Sequence, residues 1–148
     1  MLDKSRCNIY DYLYGLFYGT LTENVYIIGE PQELEESDRN DGFLVIRVGE
    51  INDDSEFDSE AYGWARCFVE AYIPTVTRGR IDVDKFKEFE DGIESVISLA
   101  IESATDDDTY YIENSSVISS DAEEVSNANN TFFVFVKSFV VVIDKQSE

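Results

Sequence analysis

The 148-residue sequence contains no histidine. Histidine is the commonest general base in enzymes and activates the nucleophile in Ser-His and Cys-His systems. Its absence excludes those mechanisms, and it excludes most zinc sites because two distant cysteines cannot bind zinc alone. The sequence also lacks G-x-G-x-x-G and G-x-x-x-x-G-K-[ST], the common loops that bind dinucleotides and phosphates. We therefore predict a protein that is not an enzyme and that has no cofactor or metal.

Basic residues are scarce. The chain has 11 lysines and arginines against 32 acidic residues, and its net charge is -21. Phosphate contacts require clustered basic side chains, so this balance argues against direct nucleic-acid binding and against an anionic membrane surface. It favours a basic partner, divalent cations or a surface that repels DNA, and its simplest interpretation is a solvated acidic surface. Residues 36–41 resemble part of a calcium loop, but Gly42 comes one position too late and Arg47 stands where a glutamate is required.

The chain has only two cysteines, Cys7 and Cys67. Both lie in apolar patterns, so we expect buried free thiols rather than a disulfide framework, which fits a reducing compartment. No run approaches the roughly 18 apolar residues of a membrane helix. The N-terminus does not read as a signal peptide, because Asp3 and Asp11 flank too short an apolar run. These features predict a soluble protein that stays in the cytoplasm when it is made.

Residues 82–104 have the clearest pattern in the chain. Their apolar side chains recur at steps of three and four, which predicts one face of a long amphipathic helix: Phe86, Phe89, Ile93, Val96, Ile97, Ala100, Ile101 and Ala104. Asp82 or Asp84 is suited to cap the N-terminus of this helix. Gly92 interrupts it at a cost of roughly 1 kcal/mol relative to alanine, so tertiary packing must supply most of the stability.

The remaining segments predict one more helix and five strands. We place the helix at 5–21 and the strands at 25–29, 43–49, 64–74, 110–119 and 131–144. The acidic segments 30–42 and 50–63 and the polar segment 121–130 are predicted as loops. The order α-β-β-β-α-β-β predicts a single α+β domain over residues 1–148. In this domain an antiparallel or mixed sheet of about five strands carries the N-terminal helix and the long helix.

Two strands carry information about the surfaces of the sheet. In 64–74 the small apolar residues alternate with a second set that suits a half-solvated face or a contact with another subunit: Trp64, Arg66, Phe68, Glu70 and Tyr72. Strand 131–144 is apolar on both faces and would extend over ~45 Å. It lies either in the middle of the sheet or with one end against a neighbouring subunit. The four tyrosines of the first helix likewise sit at the edges of a sheet or face a partner.

The order of elements resembles that of the tail-terminator and tail-completion (neck) proteins of long-tailed bacteriophages. The resemblance lies in 25–29, in 43–48, in strand 64–74 leading through Arg78-Gly-Arg-Ile-Asp into the long helix, and in the closing strands. It covers nearly the whole chain and concerns architecture rather than an exact motif. It implies a ring, commonly a hexamer, at the end of the tail tube, without catalytic residues. The expected partners are further copies and a tail-tube or neck protein. The expected location is the virion tail, after assembly in the host cytoplasm.

The residues that we expect at such an interface are aromatic anchors, a basic cluster and part of the long final strand: Trp64, Phe68, Tyr72, Arg78, Arg80, Phe139 and Val141. The acidic loops would then line a lumen through which DNA slides without binding. An alternative is an acidic protein-binding module, such as a DNA mimic that occupies the site of a basic protein. A third is a hydrolase with two facing carboxylates.

Overall fold

A computed structural model describes residues 4–29, 31, 33–52, 61–76, 80–105, 108–119, 123–127 and 130–144. Within these ranges the chain forms three helices and seven strands. In chain order they are α1 (Lys4–Phe17), β1 (Val25–Ile27), α2 (Glu36–Asp41), β2 (Phe43–Val48), β3 (Ala61–Val76), β4 (Arg80–Ile81), α3 (Val83–Ser103), β5 (Tyr110–Ser119), β6 (Glu123–Asn127) and β7 (Asn130–Asp144).

The centre of the sheet is the antiparallel pair β3 and β7. Both strands are long and rich in β-branched and aromatic residues, which favour extended backbone. Their register runs from Ala61 opposite Asp144 to Pro74 opposite Phe132. Since β5 and β6 lie one after the other along the other edge of β7, that strand has neighbours on both sides. The sequence allowed the final strand to lie either in the middle of the sheet or with one end against a neighbouring subunit. In the structure it lies in the middle of the sheet.

The sheet is mixed, and its main order is β1-β2-β3-β7-β5. Strand β2 is antiparallel to β3, while the short β1 is parallel to β2. Strand β4 pairs with the end of β3. The predicted α+β class, the mixed sheet of about five main strands and the two packed helices are therefore confirmed.

Both α1 and α3 pack on one face of the sheet, which we call the inner face. The small side chains that the sequence assigned to one side of β3 lie there with apolar residues of β2, β5 and β7. From the helices, Ile9, Leu13 and Phe17 of α1 and Phe89 and Ile93 of α3 enter the same core. The alternation that we predicted for 64–74 is thus confirmed. The small side chains on this face allow the helices to approach the sheet closely.

The long helix matches its prediction almost residue for residue. Asp82 is the N-cap and accepts a hydrogen bond from the backbone N–H of Lys85 at 3.1 Å. Five of the eight predicted apolar residues are buried: Phe89, Ile93, Val96, Ile97 and Ala100. Phe86 and Ile101 are partly buried. Ala104 is exposed, contrary to the prediction, because it follows the last helical residue and its backbone has turned to an extended conformation.

Gly92, which looked like a defect in the long helix, lies where another segment approaches it. A Cβ atom at this position would come within 2.8 Å of Cδ1 of Leu21. Leu21 is one of the partly buried residues that pack against the inner core. The missing side chain thus gives Leu21 room against the helix.

Two elements end earlier than predicted. Helix α1 stops at Phe17 rather than residue 21, because Gly19 adopts a left-handed conformation with φ 75°, a common way to end a helix. Strand β1 stops at Ile27 rather than residue 29, because Ile28 has φ 76°. Such a value is rare for a β-branched residue and ends the extended backbone.

Two elements were predicted as loops. Helix α2 lies within 30–42, and strand β6 lies within 121–130. The helix had a local signal, because Glu35 and Asp38 have the spacing of a capping box. The polar sequence of β6 does not predict a strand. It forms a strand because it pairs with β7. Of the predicted loop 50–63, residues 53–60 lie outside the described residues. Residues 61–63 belong to β3 rather than to a loop, because they pair with the end of β7.

Both cysteines are free thiols, but only Cys67 is buried as predicted. Cys7 is exposed, because the apolar stripe of α1 that meets the sheet begins at Ile9 and leaves Cys7 on the solvent side. Burial raises the pKa of the Cys67 thiol to about 12. The two thiols should therefore differ in reactivity, because the thiolate is the nucleophile and a buried thiol is out of reach of the reagent.

A first prediction concerns the cap of α3. Replacing Asp82 by alanine should lower the free energy of unfolding by about 1 kcal/mol, because the Lys85 N–H loses its acceptor. The control is Asp84→Ala, which removes an acid from the same first turn and should cost roughly 0.3 kcal/mol through the helix dipole. Urea unfolding measures both values. Equal losses would contradict the capping role.

A second prediction concerns the thiols. A chromogenic disulfide reagent should label Cys7 in the folded protein at once, and Cys67 only after denaturant is added. The variant Cys7→Ser should then show almost no labelling under native conditions. Rapid labelling of that variant would mean that the core around Cys67 opens easily.

Candidate functional site

The sheet face opposite α1 and α3 carries the most unusual set of side chains in the described structure. We call it the outer sheet face. Its members alternate along the strands with the residues of the inner core, and strand register places them side by side: Tyr26, Phe43, Val45, Arg47, Trp64, Arg66, Phe68, Glu70, Tyr72, Val134, Val136, Ser138, Val140 and Val142. Aromatic residues and arginine are enriched in protein interfaces, so a sheet face with several of them suits contact with another protein.

One end of the outer sheet face is closed by its own small core. The rings of Phe43 and Tyr72 stack with centroids 4.5 Å apart, and Phe132 meets Phe43 edge-on at 5.4 Å. Leu34 packs into this cluster, with Tyr26 at its margin. The segment that contains Leu34 and α2 therefore covers this end of the face.

Asp38 fixes the covering segment from inside. Its side chain has 0 % exposure, and Oδ2 accepts hydrogen bonds from the Tyr26 hydroxyl at 2.6 Å and from the Glu35 N–H at 2.9 Å. Its Oδ1 atom is buried without a hydrogen-bond partner among the described residues. Burial and the contact with Asp38 raise the pKa of Tyr26 above its usual value. The hydroxyl therefore stays protonated and donates to the carboxylate.

Gly42 joins α2 to β2 at the same place. Its φ is 85°, and a Cβ atom there would lie 2.5 Å from the carbonyl oxygen of Tyr72. Only glycine fits such a close backbone approach in a left-handed conformation. This position holds the covering segment against β3.

An ion pair occupies the middle of the outer sheet face. Arg47 Nε lies 3.1 Å from Glu70 Oε1, and Arg47 Nη1 donates to the carbonyl oxygen of Ile28 at 2.7 Å. Burial would lower the pKa of Arg47, but the charge of Glu70 and the hydrogen bond with its carboxylate raise it. The guanidinium thus stays charged and links the left-handed turn at Ile28 to the sheet.

The other end of the face holds Trp64 and Phe68, both partly exposed. In the register with β7, Trp64 lies opposite Val142 and Phe68 opposite Ser138. Partly exposed aromatic rings beside arginine are the side chains that most often act as anchors in protein interfaces. This end of the face can therefore bind a protein surface.

The structure places the predicted interface residues on different surfaces. Trp64, Phe68 and Tyr72 share the outer sheet face, with Tyr72 almost fully buried in its closed end. Arg80 is exposed in β4, and Arg78 lies outside the described residues.

Two further predicted residues lie on the inner face. Phe139 and Val141 belong to the core between the sheet and the helices, each with 0 % exposure. Their side chains contact their own chain, because odd-numbered residues of β7 point towards α1 and α3. An interface through these two residues stays a prediction.

Sequence reasoning did not single out Arg47 and Tyr26 of the outer sheet face, or Asp38 of the segment that covers it, as functional residues. The alternation within 43–49 did place Arg47 beside Phe43 and Val45, and that prediction is confirmed. The partners Glu70 and Ile28 come from other segments, so no local pattern could reveal the ion pair.

The described residues contain no group of three or more cysteine and acidic side chains that could hold a metal ion. The segment that resembled a calcium loop forms α2, and its Asp38 points inward. None of the described helices is long and apolar enough to cross a membrane.

Neither the family models nor the curated proteins gave a match to this chain. Any function must therefore be argued from the chain's own surfaces.

A third prediction tests the covering segment. Tyr26→Phe removes a donor to the buried Asp38 carboxylate and should lower the free energy of unfolding by roughly 1–3 kcal/mol. Tyr14→Phe is the matched control, because Tyr14 is exposed on α1 and its change should stay within about 0.5 kcal/mol.

The raised pKa of Tyr26 also predicts that the stability of the protein depends on pH, and the same two variants test this. Because the pKa of Tyr26 is raised in the folded state, Tyr26 stabilises the protein at pH values below 10.0, the ordinary pKa of tyrosine. This stabilisation is lost as the pH rises above 10.0. Between pH 7 and pH 11, urea unfolding should show that the free energy of unfolding falls less steeply with pH in Tyr26→Phe than in the wild type. Identical slopes would contradict a raised pKa of Tyr26 in the folded state.

Proposed function

We propose that this protein is a non-enzymatic assembly protein that forms a ring of identical subunits and docks on the end of a tubular protein assembly. The phage tail terminator and tail-completion proteins are the class whose order of elements it resembles. In that role it binds a tail-tube or neck protein and is part of the virion tail.

The observation that carries the proposal is the pair of partly exposed aromatic residues, Trp64 and Phe68, on the sheet face opposite α1 and α3. Helices α1 and α3 lie on the inner face, and the segment with Leu34 and α2 covers the end of the outer sheet face near Tyr72. Towards the other end Val140 and Val142 are buried, whereas Trp64 and Phe68 are partly exposed. A sheet with one face packed and aromatic residues on the other suits association with further copies.

The charge distribution agrees with this role. Arg47 is paired with Glu70 and Lys137 with Glu94, the latter at 2.8 Å. Two of the few basic residues are thus used within the chain, and the net charge is -21. An acidic ring of this kind does not retain DNA that passes through it, because like charges repel.

The acidic protein-binding module is a second candidate, supported by the exposed side of α3. Asp84, Glu88, Asp91 and Glu102 lie on one side of this helix and are exposed. The first three rise by about 4.5–6 Å from one to the next, at 1.5 Å per residue. This rise is of the same order as that of DNA, in which each strand carries one charge per roughly 3.4 Å of helix axis. A basic protein that binds nucleic acid would be the partner.

A fourth prediction separates the two candidates by mass in solution. Light scattering should show a rise above the monomer mass of 16.9 kDa as protein concentration increases. Phe68→Ser should weaken this association, because it removes an anchor from the outer sheet face. Tyr14→Ser is the matched control, since it removes an exposed aromatic ring from the helix side and should leave assembly unchanged.

Circular dichroism should first show that both variants are folded. A wild-type protein that stays a monomer at every concentration would contradict self-assembly and favour the acidic module. Equal weakening by both variants would remove the outer sheet face from the interface.

A further inference from the structure

A groove runs between α1 and the C-terminal half of α3, on the side of the molecule away from the outer sheet face. It consists of two adjoining hollows of about 230 and 210 Å³. Leu16, Ala100 and Ser103 line both hollows. Leu99 forms one wall of the larger hollow and is 65 % exposed, the highest value among the large apolar side chains described as exposed.

The smaller hollow continues the groove towards β5. Tyr12 and Tyr110 line it with ring centroids 5.8 Å apart. Burial, and then the charge of Asp108, raise the pKa of Tyr12 to about 12, so the floor stays neutral near pH 7. Short side chains such as Ala100 and Ser103 let another backbone approach the groove closely.

The rim of the groove is acidic. Asp108 lines the smaller hollow, and Glu102 is exposed on α3 one residue from Ser103. The sequence has no basic residue between Arg6 and Arg39, which includes the α1 wall. It has none between Lys87 and Lys137, which includes the α3 and β5 walls. No basic side chain therefore appears among the described residues that line the two hollows.

We propose that this groove binds an amphipathic helix of a partner protein, with apolar side chains in the two hollows and lysine or arginine on the flanks. A hollow of 150 Å³ is enough for a benzene ring, so each of these accepts one large apolar side chain. Successive anchors of a helix at i and i+3 or i+4 lie about 5–6 Å apart, as two adjoining hollows require.

Charge complementarity decides the character of the partner. An acidic helix would meet the carboxylates of Glu102 and Asp108 at the rim, and like charges disfavour such a complex. A basic helix would gain from both carboxylates and from the acidic surface as a whole. This inference does not rest on the proposed function, because the groove and the outer sheet face lie on opposite sides of the sheet.

The test uses a fluorescein-labelled amphipathic peptide of about 15 residues, long enough to form a helix, with leucine at steps of three and four and lysine elsewhere. Fluorescence anisotropy should show binding to the full chain that weakens as salt is added. Ser103→Trp places an indole ring at the wall that the two hollows share, where it obstructs the groove, and should raise the Kd roughly tenfold or more. Ser98→Trp is the matched control, because Ser98 is an exposed serine of the same helix outside the groove and should leave the Kd unchanged.

A second pair of variants tests the rim. Glu102→Lys should weaken binding more than Glu88→Lys, although both reverse one exposed acid of α3. A scrambled peptide of the same composition should bind more weakly, since it has the charge without the apolar face. Circular dichroism of each variant shows whether α3 is intact.

Three results would overturn the proposal. One is the absence of peptide binding to the wild type. Another is equal binding by Ser103→Trp and Ser98→Trp, or by the scrambled peptide, which would mean general attraction to an acidic surface. The third is a loss of self-association in Ser103→Trp alone, measured by light scattering, which would assign the groove to a second copy of this chain.

Discussion

The structure depends on the pairing of β3 with β7 along almost their full length. Strand β7 is largely apolar on both sides and β3 on one, so the pair is stable in water only when these apolar surfaces are covered. The inner face is covered by α1 and α3. The outer face is covered at one end by the segment with Leu34 and α2, where Phe43, Tyr72 and Phe132 form a second small core. Towards the other end of this face the rings of Trp64 and Phe68 are partly exposed.

Polar groups hold this arrangement at a few points. Lys137 is almost fully buried on the inner face, and its ammonium group donates to Glu94 of α3 at 2.8 Å. A buried charge is costly without a partner, so this contact favours one register of helix against sheet. Arg47 and Asp38 act in the same way on the outer face, where they tie the turn at Ile28 and the segment around α2 to the strands. The apolar residues supply the stability, and these polar contacts favour one particular packing.

Much of the fold could be predicted from local patterns. Helix α3 and strands β2, β3, β5 and β7 follow from periodicity, because a core-facing helix repeats every 3.6 residues and a strand every two. The predictions that were wrong have local causes other than periodicity. Positive φ values at Gly19 and Ile28 end their elements early, and a capping box starts α2 in a segment that is otherwise acidic. The candidate sites were harder to predict. Trp64 and Phe68 were named, but Arg47 and Ser138, which lie on either side of Phe68, come from other strands.

The sequence by itself determined the class of fold, the two faces of the central strand, the cap at Asp82 and the acidic character of the surface. All of these depend on residues close together in the chain or on composition alone. Tertiary structure decided that β7 lies in the middle of the sheet, that Asp38 is buried beneath Tyr26, and that Leu16 and Ala100 share a groove with acidic residues at its rim. These features join segments that are distant in sequence. Their geometry is set by how helices and strands pack, which no local pattern contains.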